Sequence, residues 1–497
     1  MAISAGRRDE IETRRWLWRL AAALAALLAV RIAALHHNAT DLFFDEAQYW
    51  SWSAEPAFGY YSKPPLIAWV IRLASESCGL SEFCVRLPSP LMHTGTALAV
   101  FAVGARLYDG KTGFWSALVF ATLPGVSLSA GIISTDVPLL FFWTLALYAL
   151  ILLIGSRSWW PAGLLGLALG FGLNAKYAMA YFVLCTGLYL IATPEQRWLL
   201  RDRRLYTALA LSLLLITPNL VWNYLNSFAT FAHTADNAKW TGSLFNPGRA
   251  LEFFGAQFGV FGPILFGALL IIVVRTCRQR LPAADRLLIA FALPVLTVVT
   301  IQALLSRAHA NWAAVSYVAA SILVTATLIR DHARVWLRGT LALHGLVLAL
   351  IAFGTTWAGS FRLPGAGDPF ARTLGWRALA LEAQTVLQSH RQSGSPIAAV
   401  LTDDRAVTAE LLYYLRNERT PVLAWRDAGR PRDHYELTRP FVRGTAEPVL
   451  LVSLRRNSGQ VTRQFAVVER LTERQIPAGA GKPRRVVFYR LEGYTGN

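Results

Sequence analysis

The chain has 497 residues, of which 54% are hydrophobic and 16% charged, with a formal net charge of +18. A soluble domain of this size carries about 25% charged residues, so the balance excludes an ordinary soluble fold and points to a polytopic membrane protein. The surplus of arginine is of the kind found in cytoplasmic loops. No array of basic and aromatic residues argues for nucleic acid as a partner.

The first apolar run, 16–36, follows Arg7, Arg8, Arg14 and Arg15 and lacks a small-residue cleavage site, so it reads as a retained signal anchor. Further apolar runs at 88–105, 113–131, 137–155, 159–173, 177–193, 205–222, 254–274, 287–305, 312–329 and 340–357 bring the expected number of transmembrane helices to about eleven. Lys and Arg alternate in density between successive loops. One set holds Arg106 and Lys111, then Arg157, then Arg197, Arg201, Arg203 and Arg204, then Arg275, Arg278, Arg280 and Arg286, then Arg330, Arg334 and Arg338. The other set is sparse, which predicts a cytoplasmic N-terminus. Arg31 lies inside the first run, near enough to its end to snorkel.

The first outer loop, 37–87, contains "LFFDEAQYWSWSAEPAFGYYSKPPLIAW", in which Asp45, Glu46 and Lys63 stand among Tyr and Trp rings. Cys78 and Cys84, six apart in the same loop, allow a disulfide in an oxidising compartment; the spacing alone leaves it open. From about Ser360 the long apolar runs stop. Short β-like runs at 396–404, 421–425, 448–454 and 485–491, and a helical pattern at 406–416, predict a small α/β domain over 358–497, on the periplasmic side. Residues 1–357 form the transmembrane part.

On this topology the unusual polar residues gather on the outer face. Asp45, Glu46 and Lys63 are joined by Asp136, Lys176, His233, Asp236, Lys239, Arg307, His309 and Asn311. Each has a plainer reading: Asp136, two before Pro138, as a helix cap, Lys176 as a snorkelling lysine, and the rings as an aromatic belt. Taken together, the carboxylates suit orienting or deprotonating a hydroxyl, or holding a divalent cation. The lysines and Arg307 suit a phosphate. Tyr49, Tyr60 and Tyr61, with His233, Asp236 and Asn311, are candidates for contacting substrate. The pattern implies group transfer from a lipid phosphate, with the scattered groups converging on one cavity. The competing reading is a secondary transporter or lipid flippase, whose ionisable groups would lie nearer the bilayer midplane.

The segments "FDEAQYW", "GYYSKPPLIAW", "ISTDVPLL", "AKYAM", "HTADNA" and "SRAHANW" resemble the bacterial family 39 glycosyltransferases, relatives of protein O-mannosyltransferases and of lipid A aminoarabinose transferases. The resemblance runs from about residue 12 to 330. It implies a GT-C membrane fold and transfer of a sugar, usually with inversion, from a polyprenyl-phosphate donor to a lipid, glycan or protein acceptor at the periplasmic face of the inner membrane. It also implies that Asp45 is the catalytic carboxylate, accompanied by Glu46 and partnered by Asp136, and that Lys63 and Lys176 bind the donor phosphate. The chain departs from the aminoarabinose transferases at Gln48, where those carry an arginine, and at Ser62, where they carry a glutamate that helps hold a metal. No cofactor is implied beyond a possible divalent metal, for which Asp45 and Asp136 would be the ligands.

Overall fold

The structure is a computed structural model that describes residues 2–238, 244–276, 281–361 and 368–496, with side chains described from residue 10 onward. Lys239, Arg278 and Arg280 of the expected loop charges lie outside the described residues. In chain order, α1 (Ala2–His36) is followed by α2 (Phe44–Ala54), α3 (Leu66–Cys78) and α4 (Glu82–Arg86). Next come α5 (Pro88–Leu107), α6 (Gly110–Thr122), α7 (Pro124–Ser129), α8 (Asp136–Gly155), α9 (Trp160–Ala175), α10 (Tyr181–Ala192), α11 (Arg203–Leu225) and α12 (Ala229–Ala238). The helical part ends with α13 (Pro247–Val260), α14 (Pro263–Thr276), α15 (Ala283–Leu305), α16 (Ser316–Arg330) and α17 (Arg334–Thr356). The chain divides into two compact units, Met1–Leu35 with Lys63–Ile67 and Arg86–Ala352, and His36–Ser62 with Ala68–Val85 and Phe353–Asn497.

The first unit is a helical bundle. Among the described residues five helices are long and apolar enough to cross a membrane, and α13 with α14 makes a sixth candidate bent by 117°. The sequence reads that pair as one straight run. The break falls at Gly262, whose φ of 92° is open to glycine, and a Cβ there would collide with His344 of α17. Glycine also sets the spacing of α9 and α11. A Cβ on Gly166 would lie 2.8 Å from the Ala208 carbonyl and one on Gly170 2.6 Å from Leu215, so the Gly-x-x-x-Gly face of α9 lets the two backbones close.

Arg31 corrects the snorkelling expectation. It is 5% exposed and turned into the bundle, where Nη2 donates to the Ala121 carbonyl. His93 on α5 is fully buried and within hydrogen-bond reach (3.0 Å) of Ser129 Oγ. At the arginine-rich ends several cations have packing roles. Arg204 donates to the Ser158 carbonyl and to Asp202, and Arg330 meets the buried Asp285, which also accepts from Tyr108.

The second unit is an α/β fold. Continuous apolar runs make the inner strands β1 (Ala399–Thr402) and β3 (Val449–Ser453), buried on both faces as parallel strands are. They lie beside β2 (Val422–Ala424), β4 (Phe465–Ile476) and β5 (Arg484–Tyr494) in the order β2-β1-β3-β5-β4, with β1 parallel to β2 and β3 and β5 antiparallel to β3 and β4. Helices α18 (Trp376–Gln392) and α19 (Arg405–Tyr414) bury Leu379, Ala383, Val407 and Leu411 against one face. Trp425, Phe441 and Phe465 pack on the other, with the short α20 (His434–Thr438) and α21 (Gly459–Thr462) in the connections.

Residues 36–62 and 68–85 belong to this same unit. Asp41 accepts from the Trp376 amide at the start of α18, Leu42 N–H donates to Tyr414 Oη, and Tyr413 Oη donates to the Leu80 carbonyl. Cys78 and Cys84 form a disulfide, with Cα atoms 5.6 Å apart.

Candidate active site

Helix α2 begins where the chain leaves an extended Phe43, and it places the Asp45-Glu46 pair in its first turn, where helix N–H groups favour negative charge. Glu46 at the third position reaches back to accept the Phe43 amide at 2.8 Å, so this 1% exposed carboxylate caps the helix. Asp45 points elsewhere. Its side chain is 38% exposed, and Oδ1 accepts from Arg405 Nη1 at 3.0 Å. The same Arg405 nitrogen donates to Gln48 Oε1 at 2.6 Å, and the guanidinium lies over the Phe44 ring, 4.9 Å from its centroid. Burial works against the charge of Arg405, but the Asp45 carboxylate beside it prevails, and the guanidinium pKa stands above its ordinary value.

The three tyrosines of this loop build its frame. Tyr60 is 1% exposed, stacks on Trp52, and donates to the Trp52 carbonyl, and burial pushes its hydroxyl up to about 12. Tyr61 donates to the Pro431 carbonyl, and Tyr49 is buried against Trp52.

In the helical unit, α8 starts at Asp136 after Thr135. The capping expectation is not what the carboxylate does: Oδ1 takes the Lys176 ammonium at 2.6 Å and Oδ2 takes the Asn311 amide at 2.6 Å. The pair is mostly shielded, with side chains 11% and 18% exposed. Lys176 reaches Asp136 because its backbone is extended between the end of α9 and the single turn Tyr177–Ala180, which carries the side chain off the helix axis. Tyr177 holds that turn, donating to Asn219 of α11 and stacking on Phe231 of α12.

The remaining expected residues of this unit are distributed around it. Lys63 is half-buried ahead of the buried Pro64 and Pro65, which set the entry to α3. Arg307 is half-buried, and its Nε finds no acceptor among the described residues. His233 and Asp236 lie on α12, where the Asn237 amide is 3.1 Å from the His233 ring. The structure thus joins Asp136, Lys176 and Asn311 in one unit, and Asp45 with Gln48 and Arg405 in the other.

Arg405 escaped sequence reasoning, although one signal was present. A cation at the first position of a helix opposes the helix dipole, which asks for a specific acidic partner. The two carboxylates expected to hold a divalent metal already have partners. The Asp45 carboxylate is engaged by a guanidinium and both Asp136 oxygens by Lys176 and Asn311, and among the described residues no three His, Cys, Asp or Glu side chains are grouped to hold a cation.

The chain is similar in sequence and in fold to known proteins. The sequence pattern of the dolichyl-phosphate-mannose-protein mannosyltransferase family matches residues 62–222. The lipid A galacturonosyltransferase RgtD of Rhizobium johnstonii is 38% identical over 407 residues, covering 82% of this chain and 84% of that protein. The lipopolysaccharide core galacturonosyltransferase RgtA of the same organism is 28% identical over 205 residues, covering 41% of this chain and 40% of its own. The crystal structure of ArnT from Cupriavidus metallidurans bound to undecaprenyl phosphate superimposes with a TM-score of 0.65 at 16% identity, over 96% of this chain and 99% of that one. The transporter and flippase alternative falls with these matches. The chain belongs to the GT-C membrane glycosyltransferases related to the protein O-mannosyltransferases and ArnT, in the family that includes RgtD, and it is a glycosyltransferase.

Proposed function

We propose that this enzyme transfers galacturonic acid from polyprenyl phosphate to lipid A at the periplasmic face of the inner membrane. The observation that carries the reading is the 38% identity to a lipid A galacturonosyltransferase along 84% of that protein. Undecaprenyl phosphate, held by a chain of the same fold, supports the class of donor. The orientation, with the N-terminus cytoplasmic, about eleven spans and the 358–497 domain periplasmic, is supported by the loop-charge alternation. The Cys78–Cys84 disulfide supports it too, since such a bond persists in an oxidising compartment.

In this reading Asp45 orients the acceptor oxygen, or takes its proton when the acceptor is a hydroxyl. That oxygen forms a bond to the anomeric carbon as the bond from that carbon to the phosphate oxygen breaks. The bonding pair leaves with polyprenyl phosphate, and a single in-line displacement inverts the centre. Lys63, Lys176 and Arg307 stabilise the departing phosphate by charge. Lys176 is suited to this because Asp136 takes one ammonium hydrogen and fixes the nitrogen, leaving others to donate. Asp136 and Asn311 are then the frame of the phosphate site, and His233 and Asp236 contact substrate. Glu46, Tyr49, Tyr60 and Tyr61 act through the shape of the first loop. Purified enzyme incubated with polyprenyl-phosphate galacturonic acid and lipid A tests the assignment: lipid A should gain one uronic acid per turnover, and a donor left intact would overturn it.

A further inference from the structure

Asp45 stands on a short helix with its side chain 38% exposed, and such a carboxylate would sample several rotamers unless held. Among the described residues, what holds it is Arg405, from a segment 360 residues further along the chain. That guanidinium is itself fixed. Its face rests on Phe44, and Nη1 is shared between Asp45 at 3.0 Å and Gln48 at 2.6 Å. Asp404 caps the same helix by accepting from the Ala406 amide. Helix α19 is clamped against the first loop by the Trp50–Tyr413 ring pair, with centroids 4.9 Å apart, and by the Leu42 amide on Tyr414. Ser51 Oγ and Tyr435 Oη, 2.9 Å apart, add a further tie between loop and domain.

We infer that Arg405 is a positioning residue for Asp45, so that the C-terminal α/β domain sets the orientation of the carboxylate that handles the acceptor. Gln48 is then a second acceptor for that guanidinium, 2.6 Å from the nitrogen that also meets Asp45. One turn of α2 separates 45 from 48, so an arginine at either 48 or 405 can reach the same carboxylate.

This inference rests on the role proposed for Asp45, and the test separates the two. Arg405→Met keeps an unbranched apolar chain beside Phe44 in place of the guanidinium and removes the charge. It should lower kcat about 100-fold, the scale of a misplaced catalytic group, with donor KM changed less than about threefold. Adding Gln48→Arg to Arg405→Met should recover at least tenfold of the lost kcat. Arg405→Met within threefold of wild type would overturn the inference. So would a loss of kcat that Gln48→Arg does not restore while the melting temperature and the Cys78–Cys84 disulfide stay as in wild type. If Arg405→Met fails to fold, Arg405→Lys takes its place: a flexible ammonium lacks the planar face that rests on Phe44 and holds the shared nitrogen less firmly, so kcat should fall at unchanged stability, and an unchanged kcat would overturn the inference. Wild-type enzyme inactive in the same assay would instead refute the proposed reaction, and an active Asp45→Asn enzyme would refute the role of Asp45.

Discussion

The pair Asp136–Lys176 offers a prediction whose stability and activity readouts separate. At 2.6 Å, two unit charges in an effective dielectric near 20 attract by about 6 kcal/mol before desolvation. With side chains only 11% and 18% exposed, desolvation offsets a large part of that. Removing one partner leaves the other shielded and unpaired, which costs about 3–5 kcal/mol. Asp136→Asn also sets an amide against two donors, Lys176 and Asn311, although rotation of the amide relieves one clash. Each single variant, Asp136→Asn and Lys176→Met, should therefore lower the melting temperature of the detergent-solubilised enzyme by about 6–10 °C, at about 2 °C per kcal/mol for a unit of this size. The double variant leaves no unpaired charge, so its loss should stay close to that of one single variant, a coupling of about 3–5 kcal/mol. Transfer should not recover with it, because the ammonium proposed for the donor phosphate is gone. Additive melting shifts would refute the ion pair. A double variant with restored transfer would refute the role of Lys176.

Three further outcomes follow from the second unit. Burial holds His434 neutral, with its pKa lowered to about 3 against about 6.5 in the unfolded chain, so the neutral ring contributes stability above pH 6.5 that is lost as pH falls towards 3. Between pH 7.5 and pH 5 this amounts to about 2 kcal/mol, and His434→Gln should flatten that stretch of the melting-temperature profile; an unchanged slope would show that other groups set it. Cys78→Ala with Cys84→Ala should cost about 2 kcal/mol, the chain freedom returned by opening so small a loop, and unchanged melting alongside loss of the shift on a non-reducing gel would count against the bridge as a stabilising element. Glu46→Ala should cost about 1 kcal/mol through the open end of α2, measured in the same melts; a much larger fall in transfer than in stability would give Glu46 a chemical role beyond capping.

The bundle was legible because its signal is local. Each apolar run corresponds to helix, and the polar exceptions at Asp45, Asp136 and Lys176 stood out against that background. What escaped depended on residues far apart in sequence. Asp136 and Lys176 were read as separate outer-face charges, and only folding shows that one neutralises the other. Arg31 carried every mark of a snorkelling residue, but the Ala121 carbonyl offered it an acceptor inside the bundle. The bend at Gly262 was hidden because the residues on both sides remain apolar. In the α/β unit the buried strands announced themselves by composition, whereas β4 did not. Val467, Val468 and Glu469 are all exposed, so "FAVVERLTERQI" shows neither a continuous apolar run nor a clean alternation. Helix α18 was missed as well: its buried Trp376, Leu379, Ala383 and Leu387 are interleaved with Arg377, Glu382 and Gln384. The link that carries the further inference, Arg405 on Asp45, spans 360 residues and has no pattern to betray it except a cation at a helix start.

The most direct test of the account is mass spectrometry of lipid A after incubation of the purified enzyme with polyprenyl-phosphate galacturonic acid, wild type beside Asp45→Asn at matched folding. Wild type should add a uronic acid with inversion at the anomeric carbon and release polyprenyl phosphate, and Asp45→Asn should add none. Unmodified lipid A from the wild-type reaction, or equal product from both enzymes, would contradict it.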